Sequence, residues 1–515
     1  MSKKKKFALA AVLTGGAAAA VTAGMYLRQE VVKRRPFTLE EATISAMQKA
    51  LRNGQVTSKD LVQGYLERIE RLDKHGANLK SVLEVNPEAL HEAEASDVRR
   101  TVNPEVGPLF GIPILIKDNI ETAGKMTTTA GSLALSGYKA DHDAFLVKKL
   151  KEAGAIILGK TNLTEFANFI SDHMPNGYSA LGGQTLNPYG SSFDVGGSSA
   201  GSGAAVAASL AAAAIGTETS GSILSPAARN SIVGIKPTIG LVSRSGIIPI
   251  AHSQDTAGPM ARTVSDAVLL LNVIAGLDEE DEETVWSQGD VQKDYSVFLK
   301  RRGLKNARIG IDRSFLESLN DEEVELINEA LEAMKEEGAY FVDPISIPSA
   351  DVLEHRKSSV MFQEFKWDLN RYLDGLPANV PVHSLSELIA YNEAHADQAL
   401  PYGQAIFKKC NSLSGDLGER SYLVDRADDI RLSQKEGIDA VMKTHHLDAL
   451  IFEGHQGCDI AAKAGYPSIT VPAGYTHEGK PVGITFTGMA FSEPKLIELA
   501  YSFEQSTQFR IPPVL

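Results

Sequence analysis

The feature that most constrains this chain is a stretch of small residues from Gly196 to Lys236, reading GGSSAGSGAAVAASLAAAAIGTETSGSILSPAARNSIVGIK. Between residues 199 and 214 only Val206 and Leu210 are larger than serine. A surface helix normally carries a face of charged side chains, and a helix here would carry none. Small side chains on every face allow neighbouring backbones to approach closely. The stretch therefore predicts a buried helix with Ser198 at its entrance.

Two hydroxyls stand at glycine-rich turns on either side of this segment. After the predicted helix the chain reads GTETSGS, where Gly216 and Gly221 allow the backbone geometry that directs amide groups toward a ligand. Ser198 and Ser222 are thereby held at the two ends of one rigid segment. Either serine alone is typical of a turn. Together they predict a functional site.

Strand and helix signals around this segment indicate an α/β fold. Residues 114–116 and 155–158 read as short buried strands, and the second follows a helical pattern. Lys117 ends the first strand. Because an ammonium group is costly to bury, Lys117 is either a functional lysine or one that reaches the surface or pairs with Asp118. The Gly159–Asn162 turn follows the second strand, where ligand crevices of open sheets form.

Residues 38–73 read as two amphipathic helices in front of these strands. Thr38 with Glu41, and Thr57 with Asp60, have the spacing of capping boxes. The two pairs predict where these helices begin.

The amino terminus has the pattern of a targeting or anchoring segment. Residues 1–35 combine basic clusters with an apolar run over residues 7–27, which is long enough to cross a bilayer. An uncleaved membrane anchor and a cleaved signal peptide both fit, and a buried helix is the third alternative. We therefore predict a protein that is anchored facing outward or secreted, rather than cytoplasmic, with its globular domain over residues 36–515.

Charge and cysteine content exclude several function classes. The net charge is −14, and residues 1–35 carry eight Lys or Arg and one acid, so the rest of the chain carries −21. An acidic body argues against nucleic acid as a partner. Cys410 and Cys458 are too few for a disulfide framework; a single bridge and two free thiols both remain open.

Residues from about 278 to 448 are charged and rich in helix signals. We predict that they form a helical cover that shapes a ligand pocket. The aromatic side chains there either line the pocket or belong to an ordinary core; these are Phe362, Phe365, Trp367 and Tyr372.

Three separated segments carry a specific family resemblance. GIPILIKDN, GAIILGKTNLTEFA and GGSSAGSGAAVAASLAAAAIGTETSGS resemble, in order and spacing, the amidase signature family of serine hydrolases. The resemblance runs from about residue 38 to 511. It implies a large mixed β-sheet with α-helices on both faces and a Ser–Ser–Lys triad, with no cofactor. It also implies a cis peptide bond between Gly197 and Ser198.

The resemblance assigns a role to each site residue. It makes Ser222 the nucleophile, Ser198 the bridging serine and Lys117 the base, and the amide groups of Thr219, Ser220, Gly221 and Ser222 an oxyanion hole. Chemistry agrees, because a serine needs a neighbour that accepts its proton and burial lowers the pKa of a lysine.

Other candidate groups are given lesser roles. Ser199 lies in a G-x-S-x-G pattern, but the residues before it do not read as a strand, so we predict that it only supports the site by hydrogen bonding. Four histidines show no metal-ligand spacing, so no metal is predicted; they are His142, His173, His252 and His455.

Departures from the family pattern limit the prediction of substrate. GTETSGSIL has Glu218, Ser220 and Leu224 where the family usually has Asp, Gly and Arg. Similar sequences occur among peptide amidases that hydrolyse carboxy-terminal amides. We therefore expect a small-molecule or peptide amide as substrate. The alternatives are an inactive binding homologue and an ammonia-supplying component of an amidotransferase.

Overall fold

The computed structural model describes residues 37–103 and 106–515. The predicted anchor or signal segment lies outside these residues. Within them, no helix combines the length and the apolar character that crossing a membrane requires.

Thirteen strands are present in the described residues. They are β1 Val82–Val85, β2 Pro113–Lys117, β3 Ile156–Thr161, β4 Tyr178–Ser179, β5 Gly183–Gln184, β6 Ala213–Glu218, β7 Val233–Lys236, β8 Thr256–Ala261, β9 Arg308–Asp312, β10 Tyr340–Ile345, β11 Ala449–Glu453, β12 Ser468–Tyr475 and β13 Pro481–Thr487.

Eighteen α-helices accompany the strands over the same described ranges. They are α1 Ile44–Arg52, α2 Ser58–Arg68, α3 Ala89–Val102, α4 Phe145–Glu152, α5 Glu165–Asn168, α6 Ala200–Ala207, α7 Leu224–Arg229, α8 Val264–Ile274, α9 Asp321–Glu336, α10 Ala350–His355, α11 Val360–Asp374, α12 Leu385–Ala394, α13 Ala396–Ala399, α14 Ala405–Ser412, α15 Arg420–Ile430, α16 Asp439–His445, α17 Cys458–Ala464 and α18 Glu493–Thr507. Short π and 3₁₀ segments join several of them.

Eleven of the described strands form one mixed sheet in the order β1-β3-β2-β6-β8-β7-β12-β13-β11-β9-β10. β2 pairs in parallel with both β3 and β6. β6 then pairs antiparallel with β8. The sequence prediction of a large mixed sheet covered by helices is confirmed.

Helix α6 explains why the central segment is so poor in large residues. All eight of its residues are buried. A Cβ on Gly201 would lie 2.3 Å from the Asn162 carbonyl oxygen and 2.4 Å from that of Ser81, so only glycine fits. The predicted buried helix is confirmed, although it ends at Ala207. The alanines from Ala213 belong instead to strand β6.

The region predicted as a helical cover is helix-rich and also contributes β9 and β10 to one edge of the sheet. Its aromatic residues divide between the two predicted environments. Phe365 is fully buried and packs 4.9 Å from the ring of Phe169. Trp367 is 42% exposed. Tyr372 donates a hydrogen bond to Glu121 at 2.8 Å, which attaches α11 to the loop after β2.

Candidate active site

Three side chains singled out from the sequence are positioned by neighbouring elements of the central sheet. Lys117 ends β2, Ser198 precedes α6, and Ser222 lies in the loop between β6 and α7. The Nζ atom of Lys117 donates a hydrogen bond to Ser198 Oγ at 2.7 Å. The Ser199 amide donates to the Ser222 carbonyl at 3.1 Å, so the two serine loops are in contact. The peptide bond between Gly197 and Ser198 is cis.

Lys117 occupies a dry environment suited to a neutral amine. Its side chain is fully buried, and Nζ also donates to Thr217 Oγ1 at 2.9 Å. Burial lowers the pKa of Lys117 to about 7, although the charges of Glu218 and Asp255 act in the opposite direction. The alternative of a surface lysine is therefore wrong.

Asp118, the other partner considered for Lys117, faces a second buried lysine instead. Lys160 Nζ lies 3.6 Å from Asp118 Oδ1 and donates to the carbonyl oxygen of Ile120 at 2.6 Å. Asp118 also accepts the amide of Thr129 at 3.1 Å. This ion pair links the end of β2 to β3 beside the site. Asp118 therefore pairs with Lys160 and not with Lys117.

The loop that carries Ser222 is tied to the end of β6 by Glu218. Its Oε2 atom accepts the amide of Ile223 at 2.7 Å and that of Leu224 at 3.0 Å. Burial raises the pKa of Glu218, while Lys236 and the backbone amides favour its ionised form. Gly221 has a φ of +79°, which shapes the turn just before Ser222.

Ser199 joins the start of α6 to the end of β6. Its Oγ donates to the Thr217 carbonyl at 3.0 Å and accepts the Thr217 amide at 3.2 Å. Both hydrogen bonds are to the backbone of Thr217, the residue whose hydroxyl contacts Lys117.

The four residues assigned to an oxyanion hole, Thr219 to Ser222, all lie in the turn after β6. Thr219 Oγ1 donates to the carboxylate of Asp255. Asp255 also accepts the amides of Ile250 and Ala251, at 2.8 and 2.9 Å. Asp255 therefore connects this turn to the loop between β7 and β8. Sequence reasoning missed it, although an acid directly before a buried strand was a usable signal.

The sulphur of Cys458 lies 3.7 Å from the Oγ atom of Ser220, which belongs to the same turn. Ser220 Oγ also donates to Asp459. Both cysteines are free thiols, with Cys410 buried in the helical cover. The alternative of a disulfide between them is wrong.

A cavity of about 320 Å³ lies beside the end of β6 and the turn that follows it. Thr217 and Thr219 form part of its wall, which places it against the Lys117 site. Asp368, Arg371 and Tyr372 of α11 line the opposite part. A small ligand in this cavity would touch both the carboxyl end of β6 and the helical cover.

His252, which the sequence analysis gave no role, lies in the cavity wall between two acids of α11. Its Nδ1 is 2.8 Å from Asp368 Oδ2, and its Nε2 is 3.6 Å from Glu364 Oε1. Burial lowers the pKa of His252, but these two carboxylates outweigh it and the pKa is raised. With a carboxylate at each ring nitrogen, the arrangement favours an imidazolium ion more than a metal ligand.

The sequence profile of the amidase family matches residues 60–453, which is most of the chain. The chain belongs to the amidase family. It is accordingly a hydrolase of amide bonds.

Individual relatives support this family assignment. The chain is 42% identical to a probable amidase of Arabidopsis thaliana, over 93% of this chain and 92% of that one. It is 45% identical to the peptide amidase of Stenotrophomonas maltophilia, with a TM-score of 0.88 over 93% and 99% of the two chains.

Components of amidotransferases are more distant relatives of this amidase. A glutamyl-tRNA(Gln) amidotransferase chain of Halorhodospira halophila is 33% identical, over 92% of this chain and 98% of that one. The prediction of an amidase is confirmed over that alternative.

Proposed function

We propose that this amidase cleaves a carboxylic or peptide carboxy-terminal amide to an acid and ammonia, through an acyl-enzyme on Ser222. One observation carries the proposal: the buried Nζ of Lys117 lies 2.7 Å from Ser198 Oγ, beside the Ser222 loop. A serine hydroxyl attacks well only when a neighbour accepts its proton. A lysine with a pKa near 7 is neutral often enough to accept it.

The proposed reaction proceeds in two halves. Ser222 Oγ attacks the carbonyl carbon while its proton passes through Ser198 to Lys117. The C–N bond then breaks, and the proton returns by the same path to the leaving nitrogen, which departs as ammonia. Water next attacks the acyl-enzyme with the help of the same relay, which releases the acid and restores the Ser222 hydroxyl.

The negative charge of the tetrahedral intermediate requires donors that are already in place. The amides of Thr219, Ser220, Gly221 and Ser222 are proposed as those donors, because they lie on the turn that carries the nucleophile. Loss of one such donor costs on the order of 3 kcal/mol in other hydrolases. Preorganisation of this turn by Glu218 and Asp255 is therefore expected to matter for the rate.

The substrate class is proposed as linear carboxylic amides, with peptide carboxy-terminal amides first among them. The similarity to the peptide amidase of S. maltophilia supports this choice. The cavity also supports it, because polar and apolar side chains alternate around a space large enough for an amino-acid amide.

The proposed place of action is outside the cytoplasm, on the pattern of residues 1–35 alone. Fractionation of cells that express the full chain with a carboxy-terminal tag tests it, together with the mass of the recovered protein. Recovery in the membrane fraction at full mass supports an anchor, and recovery outside the cell at lower mass supports a cleaved signal. Full-mass protein in the cytoplasm contradicts the proposal.

The activity itself is tested by ammonia release from a panel of amidated peptides and simple aliphatic and aromatic amides. The full chain is compared with Ser222→Ala and Lys117→Met, and Ser136→Ala, in an exposed turn, is the matched serine control. We expect Lys117→Met to lose at least about a hundredfold in kcat, since general-base catalysis contributes that much. Ser222→Ala lacks the attacking oxygen and should lose at least as much.

Circular dichroism shows whether each variant is folded. Activity that survives Ser222→Ala contradicts the mechanism. A folded wild-type protein that releases no ammonia from any amide of the panel contradicts the substrate class.

A further inference from the structure

Helix α11 presents an unusual pair of side chains beside the active-site cavity. Trp367 is 42% exposed, and the guanidinium of Arg371, one helical turn later, lies 5.8 Å from the centre of its ring. Among the described residues, Arg371 forms no ion pair with a carboxylate. An exposed tryptophan under an arginine that lacks an acidic partner offers a flat apolar surface next to free hydrogen-bond donors.

Arg371 lines two spaces on the surface of the protein. One is the active-site cavity of about 320 Å³ described above. The other is an open groove of about 530 Å³ that also includes Trp367, Asn370, Asp374 and Asp416. Arg371 is the residue that the linings of the two spaces share, so a molecule that extends from the cavity past Arg371 is directed toward this groove.

The cavity is too small for a whole oligopeptide. Its volume is near the lower end of the range for pockets that hold a single small molecule. An extended peptide advances about 3.3–3.6 Å per residue. Residues upstream of the amide that is cleaved must therefore pass over the cavity rim, and Arg371 is on that rim.

We propose that Trp367 and Arg371 form a subsite for the residues upstream of the scissile amide, which makes oligopeptide amides better substrates than single amino-acid amides. This inference rests on the proposed function. The ring of Trp367 packs against an apolar or aromatic side chain of the substrate. Arg371 donates hydrogen bonds to the backbone carbonyl oxygens of the peptide substrate.

The test compares kcat/KM for acetylated peptide amides of one to four residues with the same terminal residue. We expect the rate constant of the wild-type protein to rise roughly two- to tenfold once the peptide reaches the groove, the usual value of one aromatic contact. Trp367→Ala abolishes this gain through KM and leaves the one-residue amide unaffected. Arg371→Gln also abolishes the gain with peptide length, but Arg371 lines the cavity as well, so its rate on the one-residue amide is not used as a reference. Trp367→Phe keeps most of the gain.

Tyr340→Ala removes another exposed aromatic, on edge strand β10, and serves as the matched control. A second readout uses Ser222→Ala, which binds without turnover: a tripeptide amide should change tryptophan fluorescence, and Trp367→Phe should abolish the change.

Equal rates for all peptide lengths in the wild-type protein overturn the subsite but leave the proposed function standing, provided hydrolysis depends on Ser222. A length dependence that survives both α11 variants also overturns it. Loss of hydrolysis of every amide, by contrast, is a failure of the proposed function.

Discussion

At the scale of single residues, burial changes what a lysine can do. Lys117, Lys160 and Lys236 are all fully buried, yet their partners differ. Lys160 faces Asp118, and Lys236 donates to the carbonyl oxygen of Tyr466 at 2.6 Å. Lys117 instead donates to Ser198 Oγ, the hydroxyl beside the Ser222 loop, which can exchange a proton with it. Of the three buried lysines, Lys117 alone contacts a serine of the candidate active site, where a neutral amine can serve as a base.

The pH profile of the reaction should report the state of Lys117. Its pKa falls from the ordinary 10.5 to about 7 because of burial, and only the neutral amine accepts a proton. We therefore expect kcat/KM to rise about tenfold per pH unit up to about pH 7 and then to level off. Rates on a simple amide between about pH 5 and 9 measure this. A value of kcat/KM that still rises about tenfold per unit at about pH 9, or that does not change with pH at all, would contradict the assignment.

Asp255 should act on Lys117 by charge and on the Ser222 turn by hydrogen bonding. The negative charge of Asp255 raises the pKa of Lys117 against the effect of burial. Asp255→Asn should therefore move the rising part of the pH profile of kcat/KM to lower pH. Thr219→Val removes the hydrogen bond but keeps the charge. Thr219→Val should lower kcat roughly tenfold, the value of one hydrogen bond to an ion, without shifting the pH at which kcat/KM rises. Profiles that respond identically in the two variants would refute this division.

At the scale of secondary-structure elements, close approach of backbones holds the site together. Ser198 lies just before helix α6, and at Gly201 the helix backbone contacts the backbone of Asn162, just after β3, where the Gly201 amide donates to the Asn162 carbonyl at 3.0 Å. Gly201→Ala should therefore displace α6 or strain it, with a loss of about 3 kcal/mol in the free energy of unfolding. Gly137→Ala, where a Cβ would meet no atom within 4 Å, is the control. Chemical denaturation measures both, and equal losses would contradict the explanation.

Helix starts show the limit of local patterns. The capping box of Thr57 and Asp60 is present at the start of α2, as predicted. The prediction of Thr38 as the first cap is wrong, because Thr43 caps α1 instead. Glu41, the second residue of that predicted capping box, accepts a hydrogen bond from Arg510, near the carboxyl terminus. A distant partner decided the role of Glu41, and no local rule contains it.

At the scale of the whole molecule, the two ends of the described chain meet at the central helix. Arg510 donates to Glu41 at 2.7 and 2.8 Å and to the carbonyl oxygen of Ala207, the last residue of α6, at 3.1 Å. These hydrogen bonds connect the carboxy-terminal segment to Glu41 and to the end of α6, at the opposite end of the helix from Ser198.

Arg510→Gln should cost about 3 kcal/mol of stability, because it breaks a largely buried ion pair. The kcat of the folded variant should be unchanged, since Arg510 contacts no site residue. Lys59→Gln, which breaks the exposed pair with Glu94, should change the stability little. Thermal unfolding and ammonia release measure the two properties separately. A fall in kcat at full folding would show that the contact supports the site instead.

The sequence by itself determined the fold class, the buried central helix and the family, and it predicted the three residues of the candidate site. These follow from local composition and from motifs, since small residues, strand patterns and Gly-rich turns are properties of short segments. The ends of the elements were less well determined: β3 runs on to Thr161, and α6 stops at Ala207, because alanine fits a buried strand as well as a helix.

Only the tertiary structure decided which groups surround the site. Asp255, His252 and Arg371 come from segments that are far from Lys117 in sequence, and their roles depend on contacts between the carboxyl end of β6 and α11. Charge and hydrogen bonding act over a few ångströms of space, whatever the separation along the chain. The pKa of Lys117 and the shape of the cavity therefore became accessible only once the chain was folded.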